Sequence, residues 1–240
     1  MKHIPNFITS LNLASGFIAI IFTINNDLIT ASWLILAAMI FDFLDGFSAR
    51  LLNSYSDIGK ELDSLADVVS FGVAPALIIY QLVTSSLLSS APLFTNGLAT
   101  RTFVIRLIPV IMPVCAALRL AVFNTDDTQI KSFRGLPTPA NALAVITLVI
   151  AGHYSDRGIF ASLTGSVTGL LIFTLILSLL MVSRIPLMSL KMSHFRFKGN
   201  EGRYILLLMA GIALIFSGIS AAPLLVPIYI IASIISLLFK

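Results

Sequence analysis

Eight apolar runs, near 10–26, 29–48, 62–84, 103–123, 138–154, 165–183, 203–219 and 223–239, fix what this chain can become. Runs of roughly 17 to 25 residues each cross a ~30 Å hydrocarbon core as a helix, and lipid offers backbone amides no partner outside the chain, so helices are what such runs form. Composition agrees, with 58% hydrophobic and 11% charged residues over 240 positions and a mean hydropathy of +1.00, far from a soluble domain. The expected fold is all-α, a polytopic membrane bundle of about eight spanning helices. The last two are separated only by a short turn around Ala221, Ala222 and Pro223. The first run follows Met1, Lys2 and His3 like a signal peptide, but no small-residue cleavage site closes it and Asn12 lies inside, so it reads as a retained helix.

Basic residues gather in alternate connections: Lys2, then Arg50 and Lys60, then Lys131 and Arg134, then Arg184, Lys191, Arg196, Lys198 and Arg203, with Lys240 closing the chain. The other connections hold little beyond Arg101 and Arg157. Both termini and the connection after the second run are therefore expected on the cytoplasmic side. The net charge of +4 follows from this bias, and it suits anionic lipid headgroups rather than nucleic acid. Cys115 has no partner cysteine, and His3, His153 and His194 lack zinc-site spacing, so disulfides and zinc chemistry are not expected. No repeat or linker divides the chain, which reads as one membrane domain over 1–240.

Against this apolar background the acids are unevenly placed. Six of the eleven, Asp42, Asp45, Asp57, Glu61, Asp63 and Asp67, fall within one short stretch. Asp42 and Asp45 are three apart and share a helix face; Asp63 and Asp67 are four apart and share a face of the next helix. Two antiparallel helices can thus turn four carboxylates toward one another. Repulsion and desolvation would cost several kcal/mol per ion in a low-dielectric site, a penalty that a divalent cation removes. All-oxygen ligation suits Mg²⁺ or Mn²⁺, and Mg²⁺ commonly combines carboxylates with substrate phosphates. Gly46, Ala49 and Gly59 allow close approach, and Arg50 is spaced to meet phosphate. Asp57 and Glu61 fall outside the paired pattern and read as solvated.

Quoted whole, residues 42–67 read DFLDGFSARLLNSYSDIGKELDSLAD. This resembles the signature of the CDP-alcohol phosphotransferases, with fixed positions matched by Asp42, Asp45, Gly46, Ala49, Arg50, Gly59, Asp63 and Asp67. The resemblance implies a six-helix core with two further helices, a homodimer, and transfer of a phosphatidyl-type group from a CDP-linked lipid to an alcohol with release of CMP. It implies two divalent ions held by Asp42, Asp45 and Asp63. Asp67 would lie near the second ion and serve as the base for the acceptor hydroxyl. Gly46, Arg50 and Ser56 would contact the cytidine diphosphate, with Asp42, Ala49 and Gly59 at the same CDP-lipid site. The opening IPNFITSLNLASG is similar to the family's first segment and adds Asn6 and Thr9 at the nucleotide end, although read alone these two are ordinary helix caps.

LDSLADVVSFGVAPA at 62–76, ALRLAVFN at 117–124 and FRGLPTPANA at 133–142 are similar to the branch of that family whose donor is CDP-diacylglycerol and whose acceptor is L-serine. Beyond residue 142 the similarity is general, SRIPLMSLK at 183–191 departs from the branch's aromatic-rich version, and Arg184 is left without a role. Arg119 is the candidate for the serine carboxylate, although an arginine there equally snorkels to headgroups; Asn12 is a second candidate. The alternatives are a sibling enzyme using glycerol 3-phosphate or an inositol phosphate, whose acceptor phosphate calls for more basic pocket residues, and a transporter. A transporter's acids would spread through the bilayer depth, whereas these gather at one edge.

Overall fold

The computed structural model describes residues 3–54, 56–87, 98–125, 133–154, 159–188 and 201–237. Lys2, Lys131, Arg157, Lys191, Arg196, Lys198 and Lys240, which carry part of the expected charge bias, lie outside them.

The chain is a membrane helix bundle. Helices α1 (Ile4–Ile24) and α2 (Leu28–Leu51) form an antiparallel pair. They are joined by a tight turn in which Asn26 takes a positive φ of 62° and Asp27 caps α2 by accepting from the Thr30 amide at 3.0 Å. A longer helical run follows: α3 (Asp57–Asp67), a π turn (Val68–Val73) and α4 (Ala74–Leu87). Its 31 residues amount to about 46 Å at 1.5 Å per residue. That exceeds the ~30 Å hydrocarbon core, so the run has length to spare at the end that carries the acids.

Helix α5 (Leu98–Leu107) passes through a 3₁₀ turn at Ile108–Val110 into α6 (Ile111–Thr125). Helix α7 (Thr138–Tyr154) is the central one, with Asn141, Ala142, Ala144, Val145, Ile146 and Leu148 all buried. After the short α8 (Ile159–Thr164) comes α9 (Val167–Val182). Two-residue strands, β1 (Phe133–Arg134) and β2 (Pro186–Leu187), pair antiparallel with Phe133 opposite Leu187. Next to them, Gly135 turns at φ 77° and donates its amide to Ile185 O at 3.0 Å, and Leu136 donates to Leu180 O at 2.9 Å.

The last two helices, α10 (Glu201–Ser217) and α11 (Leu225–Leu237), form a hairpin. A Cβ built on Gly202 would lie 2.5 Å from that of Ser236, which brings the two far ends together. The two are joined by the 3₁₀ turn Gly218–Leu224, which contains the expected Ala221–Pro223 and opens at Gly218 with φ 56°. Glycine is the residue that takes positive φ without a Cβ clash.

Several contacts put the signature, the start of α1 and the end of α6 at one end of the bundle. Lys60 Nζ donates to Asn124 O at the end of α6 at 3.0 Å. Asn6, at the start of α1, approaches Gly59 at the start of α3 closely enough that a Cβ there would lie 3.0 Å from its Oδ1. At the opposite end, Gln81 donates to Asn26 Oδ1 at 2.7 Å and Ser86 to Thr164 O at 3.2 Å.

Candidate active site

The acid stretch folds as its spacing demands. α2 carries Asp42 and Asp45 to its C-terminal end, and the chain reverses through Leu52 and Asn53, the latter at φ 46°. Ser56 then opens α3 as its N-cap, its Oγ accepting from the Gly59 amide at 3.0 Å. The reversal turns the two carboxylate faces together. Ligand oxygens of Asp42, Asp63 and Asp67 all lie within 4.8 Å of one another. Asp63 Oδ1 is buried and accepts no hydrogen bond.

The fourth acid is turned elsewhere. Asp45 is 6% exposed and accepts at Oδ2 from Thr9 Oγ1 at 2.6 Å, and it stands outside the group of three. Asp67, 7% exposed, is met on one side by Asn12, whose Nδ2 donates to its Oδ1 at 3.4 Å. A carboxylate only accepts, so the Asn12 nitrogen must face Asp67 and its Oδ1 points away, buried and unpartnered.

Beside these acids is a cavity of about 250 Å³, large enough for part of a nucleotide diphosphate. Asn6, Thr9, Asp45, Gly46, Ala49, Arg50, Ser56 and Gly59, eight of the residues singled out from sequence, line it together with Asp63. A Cβ on Gly46 would meet nothing within 4 Å, so that glycine faces open cavity rather than a neighbouring helix. Pro5, Ser54 and Lys60 also line it. Ser54 could not have been found from its spacing: it belongs to the loop, and only the reversal at Asn53 turns it inward.

Arg119 on α6 sits close enough to Asp67 for direct electrostatic interaction, and also near Tyr229 of α11. Its Nε is buried without a hydrogen-bond partner. Asn12 bonds Asp67 and Arg119 interacts with it electrostatically, and neither lines the nucleotide-sized cavity. Tyr229, whose hydroxyl donates to Met188 O at 2.9 Å, carried no sequence signal, because a tyrosine in a late apolar run is ordinary.

Three carboxylates within 4.8 Å, an orphaned buried oxygen among them, and an all-oxygen donor set suit hard divalent cations. With an adjoining cavity rimmed by Arg50 and Lys60, the site is built for chemistry at phosphorus. The profile of the CDP-alcohol phosphatidyltransferase family matches residues 2–190, and the chain belongs to that family. It is 34% identical over 196 residues to the CDP-diacylglycerol–serine O-phosphatidyltransferase of Bacillus subtilis, covering 82% of this chain and 93% of that one. To the protein of the same name from Helicobacter pylori it is 32% identical over 238 residues, covering 98% and 91%. It is also similar to the archaetidylserine synthase of Methanothermobacter thermautotrophicus, at 36% over 155 residues, covering 64% of this chain and 60% of that one.

Proposed function

We infer that this chain is a phosphatidylserine synthase: it transfers the phosphatidyl group of CDP-diacylglycerol to the hydroxyl of L-serine and releases CMP. The convergence of Asp42, Asp63 and Asp67 beside the cavity that gathers the rest of the signature carries this reading. The activities for which its Bacillus subtilis and Helicobacter pylori relatives are named support the acceptor.

The cavity would take the cytidine diphosphate, with Arg50 on phosphate and Gly46 leaving room for it. Asp42, Asp63 and Asp67, with Asp45 alongside, would hold two Mg²⁺ or Mn²⁺ ions; when bound, such ions neutralise the carboxylates and draw charge from the phosphoryl oxygens. Asn12 engages Asp67 at Oδ1, which leaves Oδ2 for a proton. The serine hydroxyl gives its proton to Asp67 as its oxygen attacks the lipid-side phosphorus. The new O–P bond forms while the bond from phosphorus to the bridging oxygen breaks, and CMP departs with that electron pair. A positioned base of this kind contributes about 10²–10⁴-fold in rate. Arg119 would face the serine carboxylate, with Asn12 nearby.

A direct transfer needs no enzyme nucleophile, and the two nearby serines are otherwise engaged. Ser70 is fully buried and donates to Asn12 O at 3.0 Å. Ser64 donates to Lys60 O and accepts from Asn124 Nδ2 at 2.8 Å. The charge bias supports a site on the cytoplasmic side, and the family resemblance supports a homodimer with the whole chain acting as one unit.

The test is CMP release by purified protein given CDP-diacylglycerol and a panel of labelled alcohols. L-serine should be the preferred acceptor by at least tenfold. Preference for glycerol 3-phosphate or an inositol phosphate would overturn the acceptor, and CMP release that needs no alcohol would overturn the transfer.

A further inference from the structure

The reading of Asp67 as base raises a question that the signature leaves open: what holds that carboxylate in place, when the helix carrying it loses its regular pattern at the next residue? The π turn begins at Val68, directly after Asp67, and ends one residue before the APA of Ala74, Pro75 and Ala76. In a regular helix the Phe71 carbonyl would accept from the amide of residue 75. Residue 75 is proline, which has no N–H and whose ring crowds the carbonyl four residues back. A π turn is a known way to absorb such an insult, and π turns concentrate at functional positions.

The carbonyl left without its donor is not left unpaired. Asn141, on the first turn of α7, donates from Nδ2 to Phe71 O at 3.1 Å, and both residues are fully buried. Because a carbonyl only accepts, the orientation of that amide is fixed by chemistry. α1 and α6 grip the turn from its other sides. Ser70 Oγ donates to the Asn12 carbonyl, and a Cβ on Gly72 would already stand 3.1 Å from Ala116 Cβ and 3.3 Å from Pro113 Cα.

We propose that Asn141 is a positioning residue for the transfer: its side-chain amide stands in for the backbone donor that Pro75 lacks, and so keeps the π turn that aims Asp67. Without it a buried carbonyl loses its side-chain donor, and the turn gains reason to rearrange. Removing the extra residue of the turn would rotate the Asp63–Asp67 face by about 100° relative to the packed face of α4. The catalytic face and the packing face of one helix would then no longer suit their separate partners. The residues that line the nucleotide cavity all precede the turn, so donor binding should be spared.

The experiment uses the full chain in lipid nanodiscs, with Asn141→Asp, Asn141→Leu, Pro75→Ala and the Pro75→Ala/Asn141→Leu double variant. Asn141→Asp keeps the shape and sets an acceptor against an acceptor; Asn141→Leu removes both polar ends. CMP release is followed against CDP-diacylglycerol and L-serine, and CDP-diacylglycerol binding is measured without serine. Misplacing a catalytic group by about an ångström costs roughly 10²-fold, so kcat should fall about that far in both single variants at position 141 while donor affinity stays within about twofold. Pro75→Ala, which restores a backbone donor and favours the regular register, should also lower kcat. The double variant should be no slower than Asn141→Leu, because both changes act on one carbonyl.

Wild-type kcat in Asn141→Asp and Asn141→Leu would overturn the proposal. So would equal losses of donor binding and turnover, or losses that multiply in the double variant. A wild-type protein that released CMP with another alcohol and not with serine would instead overturn the acceptor, and the same four variants would be compared with that alcohol.

Discussion

Thr9 Oγ1 donates to Asp45 Oδ2 at 2.6 Å, tying the first helix to the acid end of the second. Sequence alone offered Thr9 as a contact for the nucleotide or as a helix cap; its single hydroxyl proton is directed to the carboxylate, and the Pro5 carbonyl at 3.0 Å is the alternative acceptor. A hydrogen bond to a charged group contributes about 1.5–3 kcal/mol. Thr9→Val should therefore raise the Mg²⁺ or Mn²⁺ concentration needed for half-maximal activity by about tenfold, while Thr9→Ser stays near wild type. Metal titrations of CMP release distinguish the two, and a Thr9→Val curve lying on that of wild type would show the bond to be idle.

Gly46 separates substrate space from protein packing. An added methyl meets nothing within 4 Å, so Gly46→Ala should leave the thermal midpoint unchanged or slightly raised, since alanine favours a helix by about 1 kcal/mol over glycine. The same methyl projects into the cavity, so the KM for CDP-diacylglycerol should rise about tenfold or more. A stable variant with unaltered KM would mean that the lipid's diphosphate lies elsewhere.

Asp67→Asn keeps the shape and the bond partner Asn12 while removing the proton acceptor. Turnover should drop by at least about 10²-fold, and donor binding measured without serine should persist within a few-fold. Near-normal turnover would take the base role away from Asp67.

Gly16 makes the opposite case to Gly46. A Cβ there would run into Ser70, lying 2.7 Å from its Cα and 2.8 Å from its Cβ, atoms that cannot swing aside. Gly16→Ala should cost about 1–3 kcal/mol, the usual penalty for overpacking, and lower the thermal midpoint by several degrees in detergent. An unshifted midpoint would show that α1 and the π turn have slack that their spacing denies.

Arg119→Lys tests the acceptor. Lysine keeps the charge but loses the planar fork that suits a carboxylate, so the KM for L-serine should rise about tenfold with the KM for CDP-diacylglycerol unchanged. An unchanged serine KM would return Arg119 to a lipid-facing or structural role.

The spanning helices were legible because each is a long apolar run, and the acid pairs because spacings of three and four on helices oblige side chains to share a face. Seven of the eight residues expected at the CDP-lipid site share one space, all but Asp42, because the signature brings two walls of the site from one short stretch of chain and the start of α1 adds Asn6 and Thr9. What stayed hidden depends on geometry across the bundle. Nothing in FDFLDG says that Asp45 turns to Thr9 while Asp42 joins Asp63 and Asp67, since both pairs have helical spacing. The π turn follows from Pro75 only once Asn141, 66 residues further on, is seen to supply the missing donor. The turn expected around Ala221–Pro223 is the 3₁₀ turn Gly218–Leu224, and what the sequence left unread is that its positive φ falls on Gly218.

The small β1–β2 pairing sets an order on the making of this protein. Leu136 and Gly135, just ahead of the helix that bears Asn141, are fastened to Leu180 and Ile185, and Phe133 and Arg134 to Leu187 and Pro186. A nascent chain that has emerged only as far as α7 already holds the clustered carboxylates and every residue lining the cavity beside them, yet the entry to α7 is unfastened until some fifty residues later have been added. The clustered carboxylates are written early in the chain, and the entry to the helix that bears Asn141 is fastened only when the strand after α9 arrives.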